Sequence, residues 1–416
     1  MRVVNPKLCI VCRGAKLLCG MAYCPIIVKN IYYVRSVKYS DLKEFEGSSP
    51  PSVFVGRVGY PYVYVGPLVP PYKGDTSILD LPEAWVDKKI EDIIDFRSSL
   101  IRGKTLVNVK ELRRYERVIT ELQELALSER PVDSEVRFIK PIKPTMRFDE
   151  RVPPLGPSGV LREFRITSNI YVNRKLEKAY YDTDLKALEA IRWLYSNGVP
   201  VTLIQRALSV GALGTARWRR LVPTRWAITA VDDAISRYLI KKVKEYPIIN
   251  KFLVFHRKVF KNTFIAIIAP RHWSYEWIEA WFPQTTWNPS YDEVEFGGDY
   301  EGISGRTTYA EPGGCYYAAR LAVTEYLCRV RRQGTAILWR EIYTGFNLPI
   351  GVWFVRENLR AMFKSQPRVF DSITEVLEYL KGVLTIDIGT WVRQSKLVRD
   401  LLFQETLSKY FKGLRK

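Results

Sequence analysis

The chain has 416 residues, of which 64 are Lys or Arg against 44 Asp or Glu, a formal net charge of +20. A hydrophobic share of 47% with 26% charged residues excludes a wholly disordered chain, and no apolar run reaches the roughly 18 residues of a transmembrane helix. With only 4 Met, 2 His and seven Gln, the composition points to a thermophilic source, and it excludes catalysis built on several histidines, because His256 and His272 are the only imidazoles.

In chain order, the first feature is Cys9, Cys12, Cys19 and Cys24 in a C-x2-C-x6-C-x4-C pattern. A C-x2-C knuckle lets two thiolates reach one ion, and four thiolates match tetrahedral zinc, so a closed structural zinc site is expected over residues 1–30. Two disulfides, or buried thiols, are the rival readings. Disulfides fit poorly with an intracellular chain, and MRVVNPKLCIVCRGAK carries charge and cysteine too early for a signal-peptide core. A cytoplasmic protein is therefore expected, with a polyanion as partner.

Residues 31–150 read as a mixed region. IIVKNIYYVRSV and VFVGRVGYPYVYVG have the β-branched and aromatic content of strands, and GPLVPPYKGD reads as loop. Asp80-Leu81-Pro82-Glu83 looks like a helix start that continues through WVDKKIEDIIDFRSSL, and Lys110 to Leu127 reads as a charged helix. Pro141 to Pro157 is a connecting segment. Residues 151–285 form a helical and hairpin region. One helix, capped by Thr183 or Asp184, passes Trp193 and Tyr195 and ends at Asn197-Gly198. Another runs from about Ile228 to Lys244, and Phe252 to Ala269 is a hairpin turning near Lys261-Asn262. HWSYEWIEAWFPQTTW, with four tryptophans, is expected to be core. Residues 286–395 carry a helix from Tyr316 to Arg331, a strand from Thr335 to Ile342, and helices over Val352–Phe363 and Ser372–Leu380. Cys315 and Cys328 are expected in the core. Residues 396–416 form a tail. Strands and helices interleave irregularly, so the class is α+β: a small zinc module, a larger mixed α/β body and a flexible C-terminal peptide.

From Ala190 to Val231 there is no Asp or Glu, while GALGTARWRRLVPTRW concentrates Arg217, Arg219, Arg220, Arg225 and Trp226. Guanidinium forks match phosphate oxygens, indoles stack on bases, and Gly211 and Gly214 permit close backbone approach. Tryptophans in the core beneath a solvated arginine face would leave the same pattern. Asp232 and Asp233 follow at once, and ion pairing with arginines is expected of them rather than metal binding.

A second polar constellation spans GGDYEGISGRTTYAEPGGCYYAAR, with Arg306, Glu311 and Arg320; Arg340 and Arg356 lie further on. Backbone N–H groups at the helix start near Cys315 could cradle a phosphate, though no Walker loop is present. Either a nucleotide pocket or a buried ion-pair network fits. With no firm paired-carboxylate motif, no reaction is assigned.

The chain closes on QETLSKYFKGLRK. Gln404, Leu407, Tyr410 and Phe411 bring an orienting amide and three apolar groups onto one side of a helical turn. This resembles the PIP-type peptide by which replication and repair proteins dock on the sliding clamp PCNA. On VFVGRVGYPYVYVGPLVPP, DTSILDLPEAW, RRLVPTRWAITAVDD, GRTTYAEPGGCYYAARLAVTEYL, LPIGVWFVRENLR and QETLSKYF, the whole chain resembles the Nre family of archaeal DNA repair proteins, NreA type. That resemblance implies a role in DNA damage, with Cys9, Cys12, Cys19 and Cys24 as a zinc-type finger. It also implies clamp binding through Gln404, Leu407, Tyr410 and Phe411. It implies no settled enzymatic activity. The expected function is a repair factor that binds DNA and the clamp. The alternatives are an enzyme acting on a nucleotide or nucleic-acid end, and an RNA-associated zinc protein.

Overall fold

Alternation of side chains builds the first sheet of the computed structural model, which describes residues 39, 41–144, 151–288, 292–346 and 349–403. Its strands are β1 (Glu44–Ser49), β2 (Val53–Val55), β3 (Tyr62–Val69), β4 (Ile101–Asn108), β5 (Val132–Phe138) and β6 (Ser158–Ile166). Their spatial order is β1-β5-β6-β4-β3-β2, with β4 and β6 parallel and the other pairs antiparallel. β3 sends Val63 and Val65 inward and Tyr62 and Tyr64 outward, as a half-buried strand should. Its second half takes in the segment read as loop from the sequence. A Cβ on Gly66 would stand 2.2 Å from the Gly103 carbonyl oxygen, so glycine is what lets β3 close against β4 here.

The helices α1 (Ile90–Ser99), α2 (Glu116–Leu127), α3 (Arg174–Tyr181), α4 (Ala187–Ser196), α5 (Val201–Ser209) and α6 (Thr224–Val243) follow in the chain, and α2 through α6 enclose the core under this sheet. The helix expected at Asp80 begins instead at Ile90, after two 3-10 turns at Ser77–Asp80 and Pro82–Ala84. The Asp80 carboxylate is taken by Arg97 and Arg206 rather than by backbone N–H groups, so it does not cap. Lys110 to Leu127 divides into a 3-10 turn at Leu112–Tyr115 and α2. α4 ends at Asn197-Gly198 as expected, Gly198 having φ of +79°, but starts after Lys186, because Asp182 caps the preceding turn by accepting from the N–H groups of Asp184 and Leu185.

The second sheet holds β7 (Phe252–Val259), β8 (Asn262–Ala269), β9 (Ser274–Trp281), β10 (Glu295–Glu301), β11 (Thr335–Ile342) and β12 (Arg368–Phe370), ordered β10-β9-β11-β8-β7-β12. β9 and β11 are its parallel pair. The hairpin of β7 and β8 turns at Phe260-Lys261, one residue earlier than the sequence suggested, with φ of 45° and 58° in the sense that suits the twist of the flanking strands. Every residue of β8 and β11 is buried, since helices cover both faces. α7 (Gly314–Val330) and α8 (Trp353–Met362) lie on one side. On the other are α9 (Ile373–Lys381), α10 (Ile388–Gln394) and α11 (Lys396–Phe403). Trp273 and Trp277 are fully buried, in keeping with their expected core role, and Cys315 and Cys328 are half-buried on α7.

The α+β class is therefore observed, as two mixed sheets wrapped by helices. α6 and α7 pack on each other and join the two halves. The four amino-terminal cysteines and the Gln404–Phe411 peptide lie outside the described residues. Within the segment assigned to the tail, Lys396–Phe403 is helix α11, docked through buried Leu397 and Val398. No helix among the described residues is long and apolar enough to cross a membrane.

Candidate nucleic-acid interface

The acid-free stretch leaves α5 through a turn in which Gly211 has φ of +70° and Gly214 +108°. A Cβ on Gly211 would meet the Arg220 carbonyl oxygen at 2.8 Å, so this close approach is made by the chain to itself. A 3-10 turn, Ala216–Trp218, then presents Arg217 with its guanidinium 5.3 Å from the Trp218 ring centre, and Trp218 is 73% exposed. Arg220 also faces solvent. Arg219 turns inward: it donates to the carbonyls of Gly214 at 2.8 Å and Tyr180 at 2.6 Å and lies over the Tyr180 ring, so it holds the loop in place. Arg225 is half-buried. Trp226 is 43% exposed and leans on Tyr60, with ring centroids 5.3 Å apart. The stretch thus brings Arg217, Arg220, Trp218 and Trp226 to the surface.

The other arginines singled out in the sequence have different surroundings. Arg356 places Nη1 3.1 Å from both carboxylate oxygens of Asp232 and Nε 2.9 Å from Glu357, while Gln205 donates to Asp232 at 2.9 Å. Burial pushes the Asp232 carboxyl above its usual range, against the pull of Arg356. Arg320 is paired with Asp233 and, at 2.7 Å, with Glu301. Arg340 is paired with Glu279 at 2.9 Å and with the Asn262 amide oxygen at 2.9 Å. Arg320, Arg340 and Arg356 are all buried, each compensated by a carboxylate, as a guanidinium removed from water requires. They cannot meet a polyanion at the surface. Asp232 and Asp233 do pair with arginines, as expected, but with Arg356 and Arg320 from remote helices and, for Asp233, with Arg237 one turn on, rather than with the arginines of the acid-free stretch. Arg306 is tied to Asp299 and lies 5.0 Å over the Tyr316 ring.

Glu311 and Arg340 line one cavity of about 200 Å³ beside the start of α7, together with Arg151, Glu279, Trp287 and Cys315; Arg306 is not part of it. Among the described residues no group of three or more His, Cys, Asp or Glu is placed to hold a metal ion.

One surface escaped the sequence reading. Tyr62, 49% exposed, and Tyr64, 43% exposed, project from the first sheet next to Tyr60, and the Lys104 ammonium lies 5.7 Å from the Tyr64 ring centre. The signal was available: Tyr-x-Tyr alternation between valines, in a run from Gly47 to Gly74 that has no acid.

The arrangement defines a basic, two-sheet α+β protein whose exposed cationic and aromatic residues are segregated from its buried ion-pair networks. The chain belongs to the archaeal Nre family: residues 18–288 match the description Archaeal Nre, N-terminal, and residues 301–410 match Archaeal Nre, C-terminal. It is 48% identical over 391 residues to DNA repair protein NreB of Archaeoglobus fulgidus, covering 94% of this chain and 97% of that one. It is 38% identical over 369 residues to DNA repair protein NreA of the same organism, covering 89% and 92%. DNA repair protein NreA of Haloferax volcanii is 35% identical over 350 residues, covering 80% and 82%. No solved structure matches the chain.

Proposed function

We propose that this protein is a DNA-repair factor that binds DNA through its arginine–tryptophan surface and docks on the sliding clamp PCNA through Gln404, Leu407, Tyr410 and Phe411. The observation that carries the reading is the exposure of Arg217, Arg220, Trp218 and Trp226 together in a stretch without a carboxylate, in a chain of net charge +20. The repair names of relatives that align over most of their length support the setting. Burying Leu407, Tyr410 and Phe411 would contribute roughly 4–9 kcal/mol gross. Ordering the peptide offsets several of these, so micromolar clamp affinity is expected, about −8 kcal/mol. Cys9, Cys12, Cys19 and Cys24 hold a structural zinc ion in this reading, which equimolar zinc in the purified protein would test.

The deciding experiment measures DNA affinity against salt and clamp capture side by side. Affinity should fall steeply as salt rises, and Tyr410→Ala with Phe411→Ala should abolish capture while leaving DNA binding intact. Salt-independent DNA binding, or capture that survives the double substitution, rejects the corresponding half. A second reading, a nucleotide ligand, rests on Glu311 and Arg340 sharing one cavity. A mononucleotide at 100 times its Kd would add about 2.7 kcal/mol of stability, and no thermal shift with any nucleotide would dismiss it.

A further inference from the structure

On the β4-β3-β2 side of the first sheet, away from the carboxylates of Glu44, Glu46, Asp133 and Glu135 on β1 and β5, the outward face has the composition of a base-stacking platform. Tyr62 and Tyr64 stand on it side by side, because fully buried Val63 and Val65 occupy the alternate positions of β3. Leu106 of β4 lies opposite Tyr64 in register and is itself exposed. Tyr60, just before β3, rests against Trp226, so the sheet face adjoins the first turn of α6, which follows the arginine–tryptophan loop in the chain. A hydrogen bond from the Val55 N–H to the Thr224 hydroxyl, 2.9 Å long, fixes the start of α6 against β2 and sets that continuity.

Charge sorts the possible occupants. Residues 47–74, 96–110 and 151–162 contain no Asp or Glu, so β2, β3, β4 and the first half of β6 are free of acids. The Lys104 ammonium is held below its ordinary value by burial and by its neighbours Arg102 and Lys143, so cations crowd one another here. An apolar protein partner would bring no countercharge to Lys104 and Lys143, whereas phosphates would relieve their crowding. A duplex keeps its base faces inside the stack. Only unpaired bases can lay a π-face on a tyrosine or indole ring, and such stacking tolerates any sequence.

We propose that this face is a track for single-stranded DNA, with bases stacked on Tyr60, Tyr62, Tyr64 and Trp226 and phosphates against Lys104 and Lys143. The assignment rests on the DNA-binding reading and deepens it by naming the form of DNA. The arginine loop supplies charge for any nucleic acid; the tyrosine face selects the unpaired strand.

The test uses the full chain and fluorescence anisotropy with a labelled oligothymidylate and a labelled duplex of equal length. Tyr62→Ala with Tyr64→Ala should weaken oligothymidylate binding by about tenfold or more and leave duplex binding unchanged, while Tyr62→Phe with Tyr64→Phe should keep both. Because both side chains are exposed, melting temperatures should match the wild type. As an independent readout, oligothymidylate should quench tryptophan emission in the wild type, and Trp226→Phe should remove that part of the quench. Unchanged oligothymidylate affinity in the alanine pair, an equal loss on both DNAs, or a quench indifferent to Trp226 overturns the track. A wild type that binds duplex while the alanine pair changes nothing rejects the track alone, and a wild type that binds neither DNA rejects the underlying reading with it.

Discussion

Asp232 on α6 and Arg356 on α8 meet 124 residues apart in the chain, both fully buried, with one guanidinium nitrogen 3.1 Å from each carboxylate oxygen. Removing Arg356 leaves the Asp232 carboxyl buried without its guanidinium partner. Arg356→Ala is expected to destabilise the protein by about 3–5 kcal/mol. Adding Asp232→Asn to it should recover part of that loss. Chemical denaturation of the two variants checks this, and a double variant less stable than the single one would contradict it.

Glu276 on β9 accepts hydrogen bonds from the N–H groups of Lys396 and Leu397, at 2.8 and 3.2 Å, and from the Ser395 hydroxyl. Burial dominates these contacts and pushes its carboxyl up to about 7 from 4.5. Below about pH 4.5 the group is neutral both folded and unfolded. Between there and about pH 7 the unfolded chain ionises first, so stability is lost as pH rises across that window, by about 3 kcal/mol from this one group. Glu276→Gln should flatten that part of the profile. Melting temperatures of the variant and the wild type, compared at pH 5 and pH 8, should converge at the lower value and separate at the higher.

Arg217 and Arg220 face solvent, whereas Arg219 is bound to the chain itself. Arg217→Ala with Arg220→Ala should lower the slope of log affinity against log salt by about 2, with no change in melting temperature. Arg219→Ala should act the other way round, lowering the melting temperature first. Parallel salt titrations and thermal melts separate the two effects.

Gly211 sits at φ of +70° with the Arg220 carbonyl in the space a side chain would need. Gly211→Ala should cost about 1–2 kcal/mol from the backbone alone. The loop that carries Arg217 and Arg220 would shift, so DNA affinity should fall together with stability. Comparison with Gly198→Ala, where φ is +79° but no atom lies within 4 Å, isolates the contribution of the close approach.

Elements with a strong local signature were readable from the sequence. β11 runs from Thr335 to Ile342 as expected, and the β7–β8 hairpin, α7 and α9 lie within two residues of their expected ends. β4 was not foreseen because IRGKTLVN mixes glycine and polar residues into its alternation, and its place is set by pairing with β3 and β6. α10 and α11 escaped because IGTWVRQ is short and broken by glycine, and α11 starts on a side chain from a distant strand. The same limit applies to the site. The charge of the arginine stretch is visible in the sequence. That Arg219 turns inward, or that Arg320 finds Asp233 and Glu301, depends on neighbours that only the folded chain supplies. The tyrosine face was within reach, since alternation alone marks which rings point out.

Glu276 pins the start of α11, the helix Lys396–Phe403, to β9, and Gln404 follows that helix in the sequence. Eight residues from Gln404 to Phe411 span at most about 28 Å when fully stretched. A clamp bound through those side chains, as proposed above, would be held within that reach of a helix anchored by one carboxyl group. Raising the pH through about 7, which ionises that buried carboxyl, would loosen the anchor of α11 before it touched the peptide itself.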